Sequence, residues 1–257
     1  MIKVGYDAGH GYNTAGKRTP DGEREWTFND IVARSFDNEL ALYDGVATKR
    51  YDDPTGKTDV PLKQRTDGAN AWGAHYYISF HHNANTAKWG TWTGVETFVY
   101  LDNKNTKSGQ LAKAIHPAIV KAYGLKDRGI KEGNLHIVRE TKMPAILIEG
   151  GFMDSTIDIV KLRDKSVLQN AGKMIAQALA AHLGLKKSIS STIEKEEVTV
   201  VQLLNDTGRK EIRELLKKAR EAEIIDAEAH TDAKINAYDD VQLLSYQAAV
   251  INRTFDK

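Results

Sequence analysis

The sequence predicts an α/β fold, a mostly parallel twisted sheet flanked by helices, followed by a small helical C-terminal domain. Three observations carry this. Short β-prone runs alternate with stretches of helical periodicity through the first 185 residues, the pattern of units that cross over into a parallel sheet. One run, Pro144-Ala145-Ile146-Leu147-Ile148, is apolar throughout, as expected of a strand covered on both faces. After Leu185 both composition and period change.

Val4 to Ala8 reads as a short strand that stops at Gly9-His10-Gly11. Phe28, Ile31, Val32, Phe36 and Leu40 recur at three- and four-residue steps, the mark of an amphipathic helix. Val46 to Tyr51 reads as a strand, and Leu62 to Ala74 as a helix with Pro61 suited to its first turn. Tyr76 to Phe80 and Val95 to Tyr100 are β-prone. Leu111 to Ala122 is helical in pattern and ends before Gly124, and a last helix, roughly Val167 to Leu183, ends at Gly184.

The predicted organisation is therefore a domain over 1–185, a linker over 186–198 and a helical module over 199–257. The linker, KKSISSTIEKEEV, is polar and aperiodic. In the module, Ile212, Leu215, Leu216 and Ala219 form one apolar stripe and Val241, Leu244, Ala248 and Ile251 another.

Composition narrows the chemistry. The 257 residues hold 36 Lys+Arg against 35 Asp+Glu, a net charge of +1, with 41% hydrophobic and 28% charged residues. That balance argues against disorder. It offers no clustered basic face for nucleic acid. There is no cysteine, hence no disulfide, thiolate metal site or cysteine nucleophile; a metal must sit on His, Asp and Glu. The opening residues lack the charged and apolar regions of a secretory leader, and no apolar run reaches the roughly 18 residues of a membrane span. Synthesis in the cytoplasm without a signal peptide, and no membrane insertion, are the expectations.

Four polar residues stand where strand ends would place them: His10, Glu25, His81 and Glu149. In open α/β sheets, sites assemble at the carboxyl ends of strands. Two histidines and a carboxylate around an open position make a catalytic zinc arrangement, and a second carboxylate can take the proton of the attacking water. Each residue also has a plainer reading: a hydrogen-bonded loop histidine, or for Glu25 a favourable charge at a helix start. Glu149 is harder to explain away, because a carboxylate ending an apolar strand is costly unless paired or at a cleft. Residue types and spacing do not choose between His81 and His82, or between Glu23 and Glu25.

Read in order, these segments resemble the zinc-dependent N-acetylmuramoyl-L-alanine amidases of the type 3 amidase family, over about residues 1–184. Asp7-Ala8-Gly9-His10-Gly11 resembles the opening D-x-G-H-G, and Glu25-Trp26-Thr27-Phe28-Asn29 the E-x-x-x-N at the first helix. Leu62, Arg65, Ala69, Asn70 and Ser79-Phe80-His81-His82-Asn83-Ala84 follow L-x-x-R-x-x-x-A-N and S-x-H-x-N-A. Gly94-Val95-Glu96-Thr97, Leu135 to Arg139, and Met143 to Glu149 complete the series. Three positions depart from the pattern: Ala8 for Pro, His75 for Asp, and Gly150-Gly151-Phe152 for an apolar-Gly-Phe.

The resemblance implies a phosphorylase/hydrolase-like fold and one Zn²⁺ per chain on His10, Glu25 and His81, with Glu149 as the proton acceptor. It implies peptidoglycan as substrate, cleaved between the lactyl group of N-acetylmuramic acid and L-alanine. Asn83, Arg65, Arg128 and Arg139 become candidate substrate contacts, each arginine weighed against a structural role. His82 is a neighbour with no assigned role, a supporting or substrate contact weighed equally against plain solvation, whereas His116, His136, His182 and His230 read as structural. The C-terminal helices loosely resemble wall-binding regions of phage lysins, which points to a cell-wall polymer as partner; dimerisation is the alternative, and a homo-oligomer stays open. Together these suggest a phage or prophage endolysin, made in the cytoplasm and released to the wall through a holin. The rivals are a leaderless host autolysin for mother-cell lysis, a non-catalytic wall-binding protein, and a zinc peptidase or deacylase acting on a small amide.

Overall fold

Six strands pair into one sheet in the order β2-β1-β3-β6-β4-β5. They are β1 (Ile2–Ala8), β2 (Val46–Arg50), β3 (Tyr76–Asn83), β4 (Val95–Val99), β5 (Asp127–Glu132) and β6 (Ala145–Phe152). Every pairing is parallel except that of β4 with β6. The computed structural model describes residues 1–188, 206–227, 229–238, 242, 243, 246, 247 and 250. By its contacts the chain divides into two units, Met1–Thr192 and Ile193–Lys257.

The helices of the first unit are α1 (Glu25–Leu40), α2 (Leu62–Trp72), α3 (Lys107–Tyr123), α4 (His136–Glu140), α5 (Ile159–Leu162) and α6 (Lys165–His182). They cover the sheet on both faces, which is what a parallel sheet requires. The larger core packs α1, α3 and α6 against Val4, Tyr6, Ile78, Phe80, Ile146 and Ile148. The smaller one packs α2 and α4 against Tyr77, Ala145 and Leu147. The predicted apolar strand is β6, buried along nearly its whole length.

The expected mostly parallel sheet flanked by helices is the observed one. Three elements lie beyond the predicted set: β5, α4 and α5. β5 reads Asp-Arg-Gly-Ile-Lys-Glu and is exposed or half-buried throughout, because it is the edge strand. Lys186 and Ser188, in the polar stretch after Leu185, bond to the loop beyond α1: the Lys186 carbonyl accepts from Asp44 N–H, and Ser188 N–H donates to the Leu42 carbonyl, both at 2.9 Å. Residues 189–198 of the expected linker lie outside the described residues.

In the second unit, α7 (Asp206–Glu221), α8 (Asp232–Ala237) and Ile225 of the segment between them form a cluster with Ile212, Leu216, Ala219 and Ile235. The first predicted stripe is thus the buried face of α7, with Leu215 partly covered. The second stripe, Val241, Leu244, Ala248 and Ile251, lies outside the described residues. Among the described residues, no helix is long and apolar enough to cross a membrane.

Candidate active site

The period of two along β3 decides which side chains meet. Ile78, Phe80 and His82 turn towards the larger core, so Ser79 and His81 leave the opposite face. His81 stands in register with Glu149 of β6, and both therefore project from one face at the carboxyl ends of their strands. β1 ends alongside at Ala8, and the chain turns through Gly9 and His10. Gly9 is required by close approach: a Cβ there would stand 2.0 Å from Cε1 of His81. His10 itself holds φ at +67°, a strained value for a non-glycine residue and of the kind retained where geometry matters. α1 begins at Glu25, whose first-turn carboxylate points back into the same space.

One ligand atom from each of His10, Glu25 and His81 falls within 4.8 Å of the others. His10 Nε2 is 3.3 Å from Glu25 Oε2, and His81 Nδ1 is 3.1 Å from Glu25 Oε1. The two imidazoles meet edge to face with centroids 4.9 Å apart. Three polar atoms here are buried without a hydrogen-bond partner: His10 Nε2, Glu25 Oε2 and Glu149 Oε2. Orphaned polar atoms are costly in a native interior. Converging imidazole and carboxylate atoms in that state fit a divalent cation of the zinc type, which takes nitrogen and oxygen ligands and leaves a position open. Glu23 points elsewhere, to Arg163, so the helix start selects Glu25 over Glu23.

The electrostatics separate the two carboxylates. Burial would raise the pKa of Glu25, but the hydrogen bond to His81 and the nearby His81 and Lys17 charges hold it below the usual carboxylate range. Burial pushes the Glu149 carboxyl up to about 8 against the opposing pull of His81. Burial lowers His10 to about 4, which keeps its imidazole neutral and available as a ligand.

A polar network supports the ligands from the larger-core side. Asn29 donates from Nδ2 to the Gly9 carbonyl at 3.0 Å and to Glu25 Oε1 at 3.3 Å. Its Oδ1 faces His82 Nδ1 at 2.7 Å, and His82 Nε2 faces the Tyr123 hydroxyl at 3.1 Å. Burial lowers His82 to about 3; a neutral ring donating to Asn29 and accepting from Tyr123 satisfies both contacts. His82 therefore braces Asn29, and through it the Gly9 carbonyl and Glu25, from the larger-core side. The departure at Gly150 has the same origin, since a Cβ there would stand 2.4 Å from the Tyr123 hydroxyl and 2.8 Å from His82 Nε2.

The candidate substrate contacts divide. Arg65 is buried and its five N–H groups are all engaged, with Asp7, Asp59 and the carbonyls of Ala8, His10 and Val60. No donor is left for a substrate carboxylate; Arg65 holds the His10 loop onto α2. Arg139 pairs with Glu140 and Asn134. Asn83 donates to Glu96 Oε1 at 2.7 Å and Arg128 to Glu96 Oε2 at 2.8 Å, which places both beside Glu149, because Glu96 and Glu149 are register partners. The remaining histidines are structural: His116 sits between Thr97 and Asp127, His136 meets Thr66, His182 packs edge-on against Tyr76, and His230 meets Tyr238.

Sequence reasoning gave no role to Asn29, Tyr123, Glu96 or Lys131. Asn29 carried a signal, being one helical turn after Glu25. The Tyr123 contact reaches His82 from α3 on the larger-core face, 41 residues away in sequence, and had none.

Residues 4–181 match the family described as N-acetylmuramoyl-L-alanine amidase. The chain belongs to that family. It is 34% identical over 199 residues, 77% of its length and 74% of the relative's, to the sporulation-specific N-acetylmuramoyl-L-alanine amidase of Bacillus subtilis strain 168. It is also 34% identical over 203 residues to the endolysin of Bacillus phage SPP1, covering 76% and 70% of the two chains. Among solved structures, the catalytic domain of the amidase CwlV from Bacillus (Paenibacillus) polymyxa var. colistinus superposes with a TM-score of 0.66 at 29% identity, over 72% of this chain and 100% of that one.

Proposed function

We propose that this amidase hydrolyses the amide between the lactyl group of N-acetylmuramic acid and L-alanine in peptidoglycan, with a zinc ion on His10, Glu25 and His81. The observation that carries the reading is the ligand cluster, its atoms within 4.8 Å, beside the unpartnered Glu149 Oε2. Zinc held there would supply Lewis acidity to the scissile carbonyl and to the attacking water. Glu149 accepts the water's proton at its carboxylate and passes it to the leaving amine nitrogen. His82, Asn29 and Tyr123 hold the ligating segments in place meanwhile. Metal analysis of purified protein should find about one zinc per chain, and wall lysis by metal-free protein would overturn the zinc assignment.

Digestion of purified walls tests the bond. New L-alanine amino termini without new reducing sugars are expected; reducing ends instead would mean a glycosidase.

For the cellular role we infer an endolysin whose C-terminal helices bind a wall polymer and keep the enzyme on its substrate. The likeness to the SPP1 endolysin supports this; the equal identity to the sporulation amidase supports mother-cell lysis instead. Production of the protein on prophage induction favours the first reading, and production during sporulation the second. A fluorescent fusion of residues 186–257 should decorate walls, and failure to do so would remove the binding role.

A further inference from the structure

Beside the candidate ligand cluster stands a charged group that the proposed chemistry does not use. Glu96 on β4 lies opposite Glu149 in the antiparallel register, so the two side chains leave the same face as neighbours, with Cβ atoms about 5 Å apart. Glu96 is buried, and its carboxylate is fully engaged. Oε1 accepts from Asn83 Nδ2 at 2.7 Å, while Oε2 accepts from Arg128 Nε at 2.8 Å and from Lys131 Nζ. Two cations on one carboxylate leave a surplus positive charge beside the reacting centre.

That surplus reaches solvent. The Arg128 and Lys131 side chains are 31% and 37% exposed, against 4% for Glu96. Arg128 is tethered at Nε and lies over the Phe152 ring, 5.0 Å from its centroid. Among the described residues its Nη1 and Nη2 atoms have no acceptor. A guanidinium anchored at one edge and stacked on one face presents its remaining N–H groups in a fixed fork, the geometry that takes a carboxylate.

We propose that Arg128 and Lys131, anchored on Glu96, form a carboxylate-recognition subsite for the stem peptide on the amine side of the scissile amide. The proposal rests on the hydrolase reading above and adds a polarity to it. The peptide crosses from Glu149 on β6 over β4 to β5, and the glycan lies on the opposite side, beyond His10. A stem whose acidic group is amidated leaves the surplus charge unpaired and is the poorer substrate.

The test compares two soluble muramoyl peptides that differ only in a free carboxylate or a carboxamide on the residue after L-alanine. The full-length zinc-loaded enzyme should prefer the acid by about tenfold or more in kcat/KM, chiefly through KM. In Arg128→Met/Lys131→Met the preference should fall to about one. Both substrates are read on the same preparation, so partial unfolding does not change the ratio. If the double variant does not accumulate, Arg128→Gln and Lys131→Gln are compared singly, each with a reduced ratio expected. A wild-type ratio near one, or a ratio kept in the variants, overturns the subsite. Hydrolysis of neither substrate would overturn the hydrolase reading instead. Calorimetric binding of the two peptides to Glu149→Ala protein then decides the subsite separately, with the same preference for the acid expected.

Discussion

The two sides of the candidate site treat a buried carboxylate in opposite ways. On the β1–β3–α1 side, Glu25 receives Asn29 Nδ2 and the His82 backbone N–H, and lies against two imidazoles and Lys17. On the β6 side, Glu149 keeps an oxygen with no hydrogen-bond partner among the described residues. One carboxyl is held below its ordinary range and the other is raised above it by burial. In the proposed mechanism the difference separates holding from reacting. A ligand must stay charged and in place, so it is surrounded by donors. A proton acceptor must change its protonation state, which a ring of donors would resist.

The largest effect that tests this contrast is on the acceptor. Glu149→Ala should lower amide hydrolysis by about 10³-fold, within the range for a lost general base, while zinc content stays near one per chain. Retained turnover would take Glu149 out of its role, and loss of zinc would place it among the ligands. On the other side the order of losses should invert. His10→Ala should lose the metal first, seen as a fall in bound zinc by elemental analysis, with hydrolysis lost as a consequence. Chelation of the wild-type enzyme should abolish hydrolysis, and added zinc should restore it.

Part of this contrast is legible in the sequence. Two histidines and two glutamates outline a candidate ligand set and a candidate base, and the apolar run before Glu149 implies the covered strand that β6 is. The choice between His81 and His82 was open by residue type. Its physical answer is parity, since Ile78 and Phe80 face the larger core and carry His82 with them, leaving His81 with Ser79 on the other face. The alternation of Ile, Ser and Phe before the two histidines was a usable signal. Other features had no local signal. β5 is polar because it is an edge, and the reversal of β4 against β6 depends on pairing across 50 residues of sequence. Arg65, proposed as a substrate contact, looks the same in sequence whether it faces a cleft or, as here, spends every donor on Asp7, Asp59 and three carbonyls.

A smaller effect is expected where the holding network is cut behind the ligands. Asn29→Ala removes the donor to Gly9 and Glu25 and leaves His82 Nδ1 buried without its acceptor. An unsatisfied buried group costs about 1–3 kcal/mol, or a fall in melting temperature of about 2–4 °C per kcal/mol for a domain of this size. Zinc affinity should drop with it by about 10–100-fold, as supporting contacts of metal ligands typically require. If stability falls and zinc affinity does not, the network serves the fold rather than the ligands.

The smallest expected effect lies on the reactive side, where Glu96 gathers Arg128 and Lys131. Burial opposes its charge, but the hydrogen bonds from Lys131 and Arg128 outweigh it and lower the pKa below the ordinary 4.5. A carboxylate with a depressed folded pKa adds stability that is fully present above the unfolded value and is lost as pH falls through the folded one. Both cations are about one-third exposed, so solvent screens the pairs and the contribution is on the order of 1 kcal/mol. Glu96→Gln should therefore be less stable than wild type at neutral pH, and the two melting curves should converge as the pH falls below the ordinary carboxylate range and through the depressed Glu96 pKa. A gap that persists at low pH would mean that Glu96 acts through shape and neutral hydrogen bonds. Its charge would then be dispensable as an anchor, and the contrast between the two sides would reduce to Glu25 and Glu149 alone.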